Sequence, residues 1–405
     1  MNILIFNCGS SSLSYKIFSG ANAANLKIIV AGKAHRVGVK GTEAAFIEHR
    51  LGGELHKQIV AIPDHHRAAA LVFDFIQAQQ LPVDLIGHRF LHGGVIFQQT
   101  TRLDDEKIEL LEQCLPLAPV HNPPMLTVIR AARTFMPATP QYIALDSAFH
   151  ASLPDYVYTY ALPQKFTEEY GFRKYGFHGL SYQDVTRKAA DFLGKPLADL
   201  RIVACHLGTG GSSVAAIKAG RSVDTSMGYS PLAGLIMSTR CGDIDPILIF
   251  HLLEQHGYTA AEVNRILNHE SGLLGVSGLS SDMRDLLRAI ETDHHPQAQL
   301  AFNMYVHRLK QYIGSMAAVL GGLNTLIFTD DVGLRCPEVR AAACAEMQWC
   351  GISLDPDRNR QATGEIIARI SPDGAQVEVL VIPNDEEMVI VQEGLKLFQT
   401  NSSEP

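Results

Sequence analysis

The sequence predicts an α/β protein of two related halves, and three observations predict it. Strand-like apolar runs alternate with helical periodicity along the whole chain, the pattern of an α/β architecture. The run Ile3 to Phe6 breaks into Asn7-Cys8-Gly9-Ser10-Ser11-Ser12 and returns as Leu13 to Phe18, and downstream Ile202 to Cys205 breaks into His206-Leu207-Gly208-Thr209-Gly210-Gly211-Ser212-Ser213 and returns as Val214 to Ile217. Aligned on their strands, Asn7 meets His206 and Gly9 meets Gly208, an internal repeat that outranks local detail. Finally, 405 residues exceed the usual size of a single core.

The opening hairpin carries a Gly/Ser tip, which gathers backbone N–H groups and hydroxyls at one spot, as a phosphate cradle does. The same residues also suit an ordinary turn. The repeat at 206–213 favours the cradle, since two such turns across a cleft would grip a polyphosphate from both sides. Further strands are predicted at Lys27 to Ala31, Leu85 to Ile86, Tyr142 to Leu145, Leu326 to Phe328 and Val377 to Ile382. A helix fits Phe302 to Leu320, stopped by Gly321-Gly322. Another fits Pro337 to Cys350, with proline in its first turn and Gly351 as its stop. The predicted domains cover 1–150 and 151–384, the boundary lying between His150 and Leu162. The last helix, 385–400, is expected to cross back and complete the first domain, with Asn384, Asp385, Glu386 and Glu387 at the hinge.

Apolar residues at 46% and charged residues at 19% describe an ordinary globular protein, and the net charge of -8 argues against a broad nucleic-acid surface. No run of about 18 apolar residues suggests a membrane span, and Met1 to Phe6 is too short for a signal h-region. The expectation is a cytoplasmic protein that binds neither membrane nor nucleic acid. None of the seven cysteines forms a Cys-x-x-Cys pair, so they read as reduced thiols, with Cys8 and Cys241 as small fillers of tight space.

Five loops hold residue types suited to chemistry. Gly87-His88-Arg89-Phe90-Leu91-His92-Gly93-Gly94 and Ser238-Thr239-Arg240-Cys241-Gly242-Asp243-Ile244-Asp245-Pro246 each set an arginine among small residues, where its fork can meet a carboxylate or phosphoryl group. Two arginines on one transferring group would neutralise its equatorial oxygens. Asp243 and Asp245 could position Arg240 or cap the following helix. His178 stands between glycines in Lys174-Tyr175-Gly176-Phe177-His178-Gly179, open to a ligand's approach or merely structural. Asp146 ends an apolar strand, where α/β sheets bind ligands, and could equally cap a helix. Asp385-Glu386-Glu387 offers hard oxygens suited to Mg²⁺, or an acidic first helical turn.

Together these segments resemble the acetate kinase (acetokinase) family. The resemblance runs through Asn7-x-Gly-Ser-Ser-Ser, Gly87-His-Arg-x-x-His-Gly-Gly, Leu117-Ala-Pro-Val-His-Asn-Pro, Asp146-x-Ala-Phe-His, Tyr175-Gly-Phe-His-Gly, His206-Leu-Gly-x-Gly, Asp224-Thr-Ser-Met-Gly, Thr239-Arg-x-Gly-Asp-x-Asp-Pro, Glu270-Ser-Gly-Leu-Leu-Gly, Ser280-Ser-Asp-Met-Arg and Ile382-Pro-x-Asp-Glu-Glu. It implies a duplicated actin/sugar-kinase-like (RNase H-like) fold in two domains with a central cleft, usually a homodimer. It implies Mg²⁺-dependent reversible phosphoryl transfer (Mn²⁺ could serve) between acetate or acetyl phosphate and a phosphoryl donor. By matching positions, Arg89 and Arg240 would hold the acyl carboxylate and the moving phosphoryl group, His178 would stabilise the transition state, and Asp146 would orient its neighbours. Asn7 and Glu386 would organise the metal. Ser10, Ser12, Lys16, His206, Gly208, Thr209 and Gly210 would bind donor phosphate. Leu91, Val120, Phe177 and Pro231 would enclose the methyl group. Leu91 stands where the family often has the smaller valine, which favours acetate over longer acids by the ~1–3 kcal/mol that one or two methylenes carry.

The departures concern the donor. The family's usual lysine after the serine turn is Ser14, with Lys16 two residues on and on the same strand face. Thr209 replaces the asparagine of the second turn, and Tyr182 a histidine. The usual adenosine loop Ala-Gly-Ile-Gly-Glu-Asn reads Asp330-Asp331-Val332-Gly333-Leu334-Arg335, so Asp331 fills a glycine's place and Arg335 an asparagine's, while Asp282 and Arg284 are kept. A filled glycine obstructs close contact. This pattern resembles the diphosphate-dependent branch of the family, which uses diphosphate and phosphate in place of ATP and ADP. The alternatives are an ATP-dependent acetate or propionate kinase with an unusual nucleotide loop, and a non-catalytic acetyl-phosphate sensor.

Overall fold

β1 (Asn2–Gly9) and β2 (Ser12–Ser19) pair antiparallel with Gly9 opposite Ser12, so Ser10 and Ser11 alone make the turn. A computed structural model describes residues 1–20, 25–39, 41 and 43–399. The chain divides into two units, Met1–Ala148 with the segment from Asp385 onward, and Phe149–Asn384. In the first unit follow β3 (Lys27–His35), β4 (Phe46–Leu51), β5 (Glu54–Ile59), β6 (Leu85–Phe90), β7 (Thr101–Leu103) and β8 (Gln141–Leu145). Their sheet has the order β5-β4-β3-β2-β1-β6-β8-β7. The hairpin side is antiparallel, and β1, β6 and β8 run parallel.

The second unit repeats this plan. β9 (Arg201–Gly208) and β10 (Gly211–Lys218) pair antiparallel with Gly208 opposite Gly211, leaving Thr209 and Gly210 as the turn. With β11 (Arg221–Thr225), β12 (Thr325–Thr329), β13 (Ala368–Arg369) and β14 (Glu378–Val381) the order is β11-β10-β9-β12-β14-β13. Again an antiparallel side leads into a parallel run, three strands (β11, β10, β9) in place of the first sheet's five, followed by β12 and β14 parallel to β9. Asn7 lies opposite Ser14 in the first hairpin and His206 opposite Ser213 in the second, so the repeat read from sequence holds residue for residue.

Strand alternation divides the core of this unit into two layers. Val203, Cys205, Leu207, Leu326, Phe328, Val379 and Val381 pack on one face, against the helix Pro296–Val319 among others. Ile202, Ala204, Ile327 and Leu380 pack on the other, against Tyr182, Val185 and Ala189 of the helix Gly179–Leu193. The Pro296–Val319 helix starts earlier than the predicted residue 302, because Pro296 fits the first helical position and the His295 side chain accepts from Ala298 N. The helix expected over 337–350 ends at Cys344. Glu346 there turns left-handed (φ +61°), Met347 enters the core, and a short 3₁₀ turn follows at Gln348–Cys350. Among the described residues no helix is long and apolar enough to cross a membrane.

The largest wholly buried side chain is Arg340. Its guanidinium donates to the carbonyls of Gly333, Leu334, Asn359 and Ala362 and to Asn359 Oδ1, at 2.7–3.2 Å. Burial pushes its pKa down to about 10, and the hydrogen bonds offset the cost of enclosing the charge. Arg340→Met keeps the apolar stem and strands several buried carbonyls. Thermal and denaturant unfolding should register a loss of about 3–5 kcal/mol.

Candidate active site

In the first unit the pleat and register gather four residues. Ile3 and Ile5 are buried on one face of β1, and Asn7 follows on the same face. β6 sets Gly87 beside Ile5, which carries Arg89 up beside Asn7. β8 sets Ala144 beside Arg89, and Asp146 follows it. Asp146 is fully buried and grips Arg89 with both oxygens, 2.8 Å from Nε and 2.6 Å from Nη2. Arg89 Nη1 donates to Asn7 Oδ1 (3.1 Å) and lies 3.2 Å from Glu386 Oε2. Burial alone would lower the basicity of Arg89, but Asp146 and Glu386 outweigh it and raise the pKa above that of ordinary arginine. The Asp146 carboxylate is thus committed to Arg89, and the helix-cap alternative gives way.

Glu386 comes from the first turn of the helix Glu386–Gln399. That helix is seated by Tyr142, whose hydroxyl donates to Ile390 O (2.8 Å), and by Gly394, where any Cβ would overlap the Tyr142 ring. Glu387 accepts from Asn7 Nδ2 (3.4 Å) and lies 3.5 Å from Lys16 Nζ, which is also 3.9 Å from Asp385. Lys16 thereby joins the group through its acidic neighbours. Ser10 is exposed and Ser12 half-buried at the turn, which His65 braces from below, its Nε2 2.9 Å from Gly9 O. His88, one residue before Arg89, faces the opposite way. It stacks on Phe6 and pairs with Gln141, and burial pushes its pKa down to about 4. Leu91 is buried in this unit and Val120 half-exposed.

In the second unit His206 and Ser213 share the face covered by the helix Gly179–Leu193. His178 caps that helix in a left-handed conformation (φ +60°). Its Nδ1 lies 2.8 Å from Ser213 Oγ, which is 2.6 Å from the Tyr182 hydroxyl. The His178 and His206 rings stack at 4.0 Å. His206 Nδ1 lies 2.9 Å from Ser181 Oγ and its Nε2 2.9 Å from Asp330 Oδ2. A single point above Gly211 lies 3.2 Å from Arg240 Nη1 and 3.3 Å from His178 Nε2, so the arginine and the histidine address one small volume.

Arg240 differs from Arg89. Its Nη1 donates to Pro231 O (3.4 Å), and among the described residues no carboxylate pairs with it. Burial pushes its pKa down from the ordinary arginine value, although a guanidinium stays charged throughout the physiological range. Asp243 does not position Arg240. It accepts from Gly234 N (2.7 Å) and the Tyr312 hydroxyl (2.5 Å) and lies 3.8 Å from Arg308. Asp245 accepts from Ile247 N, as a helix cap does. Phe177 is fully buried, and its carbonyl oxygen lies 2.9 Å from His150 Nε2. Thr209 and Gly210 are exposed at the turn, with Gly208 buried before them.

The four residues matched to nucleotide contacts form a chain of charges. Asp282 caps the helix Met283–Asp293 and grips Arg284 with both oxygens, at 2.9 and 2.6 Å. Arg284 Nη2 lies 4.0 Å from Asp331 Oδ2, and Arg335 Nε lies 3.7 Å from Asp331 Oδ1.

Among the described residues no group of three or more His, Cys, Asp or Glu side chains is arranged to hold a metal. Asn7 Oδ1 and Glu386 Oε2 lie side by side on Arg89 Nη1, at 3.1 and 3.2 Å, so a metal would have to take them over from the guanidinium. One amide and one carboxylate oxygen form the kind of partial set that Mg²⁺ takes, with phosphate and water completing its octahedron. Sequence reasoning missed the partners that orient these groups: Ser181 and Ser213 behind the histidines, and Asp330 on His206. Only pairing distances reveal them.

A sequence profile described as the acetokinase family matches residues 2–392. The chain belongs to the acetokinase family. It is 40% identical over 400 residues to an acetate kinase of Clostridium acetobutylicum, covering 97% of this chain and 98% of that one. The acetate kinase structure from Entamoeba histolytica is 43% identical, with a TM-score of 0.90 over 98% of this chain and 100% of that one. A propionate kinase structure from Francisella tularensis is 30% identical, with a TM-score of 0.87 over 97% and 98% of the two chains. The two-domain α/β fold is therefore that of this family.

Asp146→Ala leaves a half-buried Arg89 without its bidentate partner. Denaturant unfolding should show a loss of about 3 kcal/mol, the usual cost of breaking a buried pair from one side.

Proposed function

We propose that the protein is an acetate kinase whose donor pair is diphosphate and phosphate. Membership of the family supports phosphoryl transfer to a carboxylate, and the uncompensated Arg240 beside His178 is the observation that carries it. A desolvated guanidinium without a counter-ion favours an anion, and the stacked histidines border the same space. In this reading Arg89 and Arg240 serve the acyl carboxylate and the transferring group. An oxygen of inorganic phosphate attacks the phosphorus of acetyl phosphate, the bond from that phosphorus to the carboxyl oxygen breaks, and acetate leaves with that oxygen as diphosphate forms. The reaction needs positioning and charge neutralisation more than covalent help. When Tyr182 donates to Ser213 and Ser213 to His178 Nδ1, the ring proton stays on Nε2, ready for a phosphoryl oxygen. Asp146 fixes the plane of Arg89. Asn7 and Glu386 would hold Mg²⁺ (or Mn²⁺), which when bound supplies further neutralisation of phosphoryl charge. Leu91, Val120, Phe177 and Pro231 are the proposed methyl pocket.

The donor assignment rests on the loop 330–335. Asp331, tied to Arg284 and Arg335, puts charge where a purine and ribose need an open, uncharged surface. ATP with ADP remains the second reading, favoured by the retained Asp282 and Arg284. Purified protein is given acetyl phosphate and Mg²⁺ with either phosphate or ADP, and diphosphate and ATP are measured. Faster turnover with phosphate is expected. Equal or faster turnover with ADP sinks the diphosphate reading, and no turnover with either supports a sensor.

A homodimer is part of the same proposal. The helix Ile247–Glu254 buries none of its residues within the chain, with Ile247, Leu248 and Phe250 each more than half exposed. So apolar an exposed face marks an interaction surface. Light scattering should report two chains per particle, and Phe250→Asp should shift the mass to one.

A further inference from the structure

We propose that Asp330 is a specificity-determining residue of the second glycine turn. Its carboxylate occupies, on His206, the place of a phosphate oxygen, so inorganic phosphate or diphosphate must displace it to bind there. The inference rests on reading the turn 206–213 as the donor-phosphate site.

Both ring nitrogens of His206 are engaged by protein groups. Nδ1 faces Ser181 Oγ and Nε2 faces Asp330 Oδ2, each at 2.9 Å. Ser181 is itself held by Asn384 Nδ2 (3.1 Å), and the His206 ring is stacked on His178. The imidazole therefore cannot turn to offer a fresh nitrogen, and an anion reaches it only through the Nε2 that Asp330 holds. Three features of the backbone build this contact. The register pairs Thr329 with His206, which brings the next residue over the turn. Asp330 is left-handed (φ +62°), uncommon for a residue with a side chain. Gly208 leaves the space that the carboxylate fills, since a Cβ there would overlap Asp330 Oδ2.

Exposure decides which partner yields. The His206 side chain is 5% exposed and that of Asp330 37%. The carboxylate can swing to water while the imidazole stays. An anion with a single contact gains too little to displace it. One that also meets Arg240 and the turn's N–H groups gains several charge-assisted bonds at once. The pair thus discriminates against anions that make one contact and in favour of phosphates, which make several.

The test is Asp330→Gly, which tolerates the left-handed backbone, with Asp330→Asn as a near-isosteric control. Inorganic phosphate affinity is measured by calorimetry, and the KM for phosphate and for acetyl phosphate by steady-state kinetics. The expected result is phosphate binding about three- to tenfold tighter in Asp330→Gly, a smaller gain in Asp330→Asn, and an unchanged KM for acetyl phosphate. Damage to the fold would weaken binding, so the sign separates the two. Unchanged or weaker phosphate binding in both variants overturns the proposal. Absence of phosphate binding in wild type and variants alike overturns the donor-site reading, and this inference with it.

Discussion

Side chains on a pleated strand alternate between faces, and the candidate residues of each unit hang on that alternation. In the first unit the face that buries Ile3 and Ile5 also carries Asn7, while β6 and β8 bring Arg89 and Asp146 to it in register. In the second, the face that buries Ile202 and Ala204 also carries His206, under the helix that His178 begins. A one-residue slip in either hairpin would turn Asn7 or His206 to the opposite layer. The two-residue turns prevent it, because Gly9 opposite Ser12 and Gly208 opposite Gly211 leave no slack.

On this frame the two arginines have been given opposite electrostatics. Arg89 is matched by Asp146 and Glu386, so its charge is compensated and its orientation fixed. Arg240 is desolvated without a carboxylate partner, so its charge is available. An anion gains more from a desolvated guanidinium that lacks a counter-charge than from one already paired with carboxylates. The acidic turn at 385–387 adds to the contrast by engaging Asn7, Lys16 and Arg89 together.

Much of this was legible in the sequence, and the illegible part has a common cause. The duplicated hairpins could be aligned because strand period and turn chemistry are local, and Asn7 with His206 emerged from that alignment alone. The helix expected over 337–350 stops at Cys344, and its break at Glu346 goes with Met347 packing into the core, a tertiary demand that local periodicity does not carry. Asp243 could be read as positioning Arg240 or as capping the next helix, yet its carboxylate goes to Tyr312 and Gly234. Adjacency in sequence says little about direction, since neighbouring side chains diverge. The residue that meets His206 is Asp330, brought across from another strand by parallel pairing.

The loop 330–335 shows how such long-range placement becomes chemistry. From beneath, the buried Arg340 fixes its backbone through the carbonyls of Gly333 and Leu334. From above, Asp331 sits between Arg284 and Arg335. Pairs as exposed as these contribute little to stability, each about 0–1 kcal/mol, so their consequence is charge and shape at the loop surface. Under the proposed reading, a base settling there would have to desolvate Asp331, which lies 4.0 Å from Arg284. On the proposed diphosphate reading the donor needs no such rearrangement at Asp331, and Asp330 on His206 is a group it would displace.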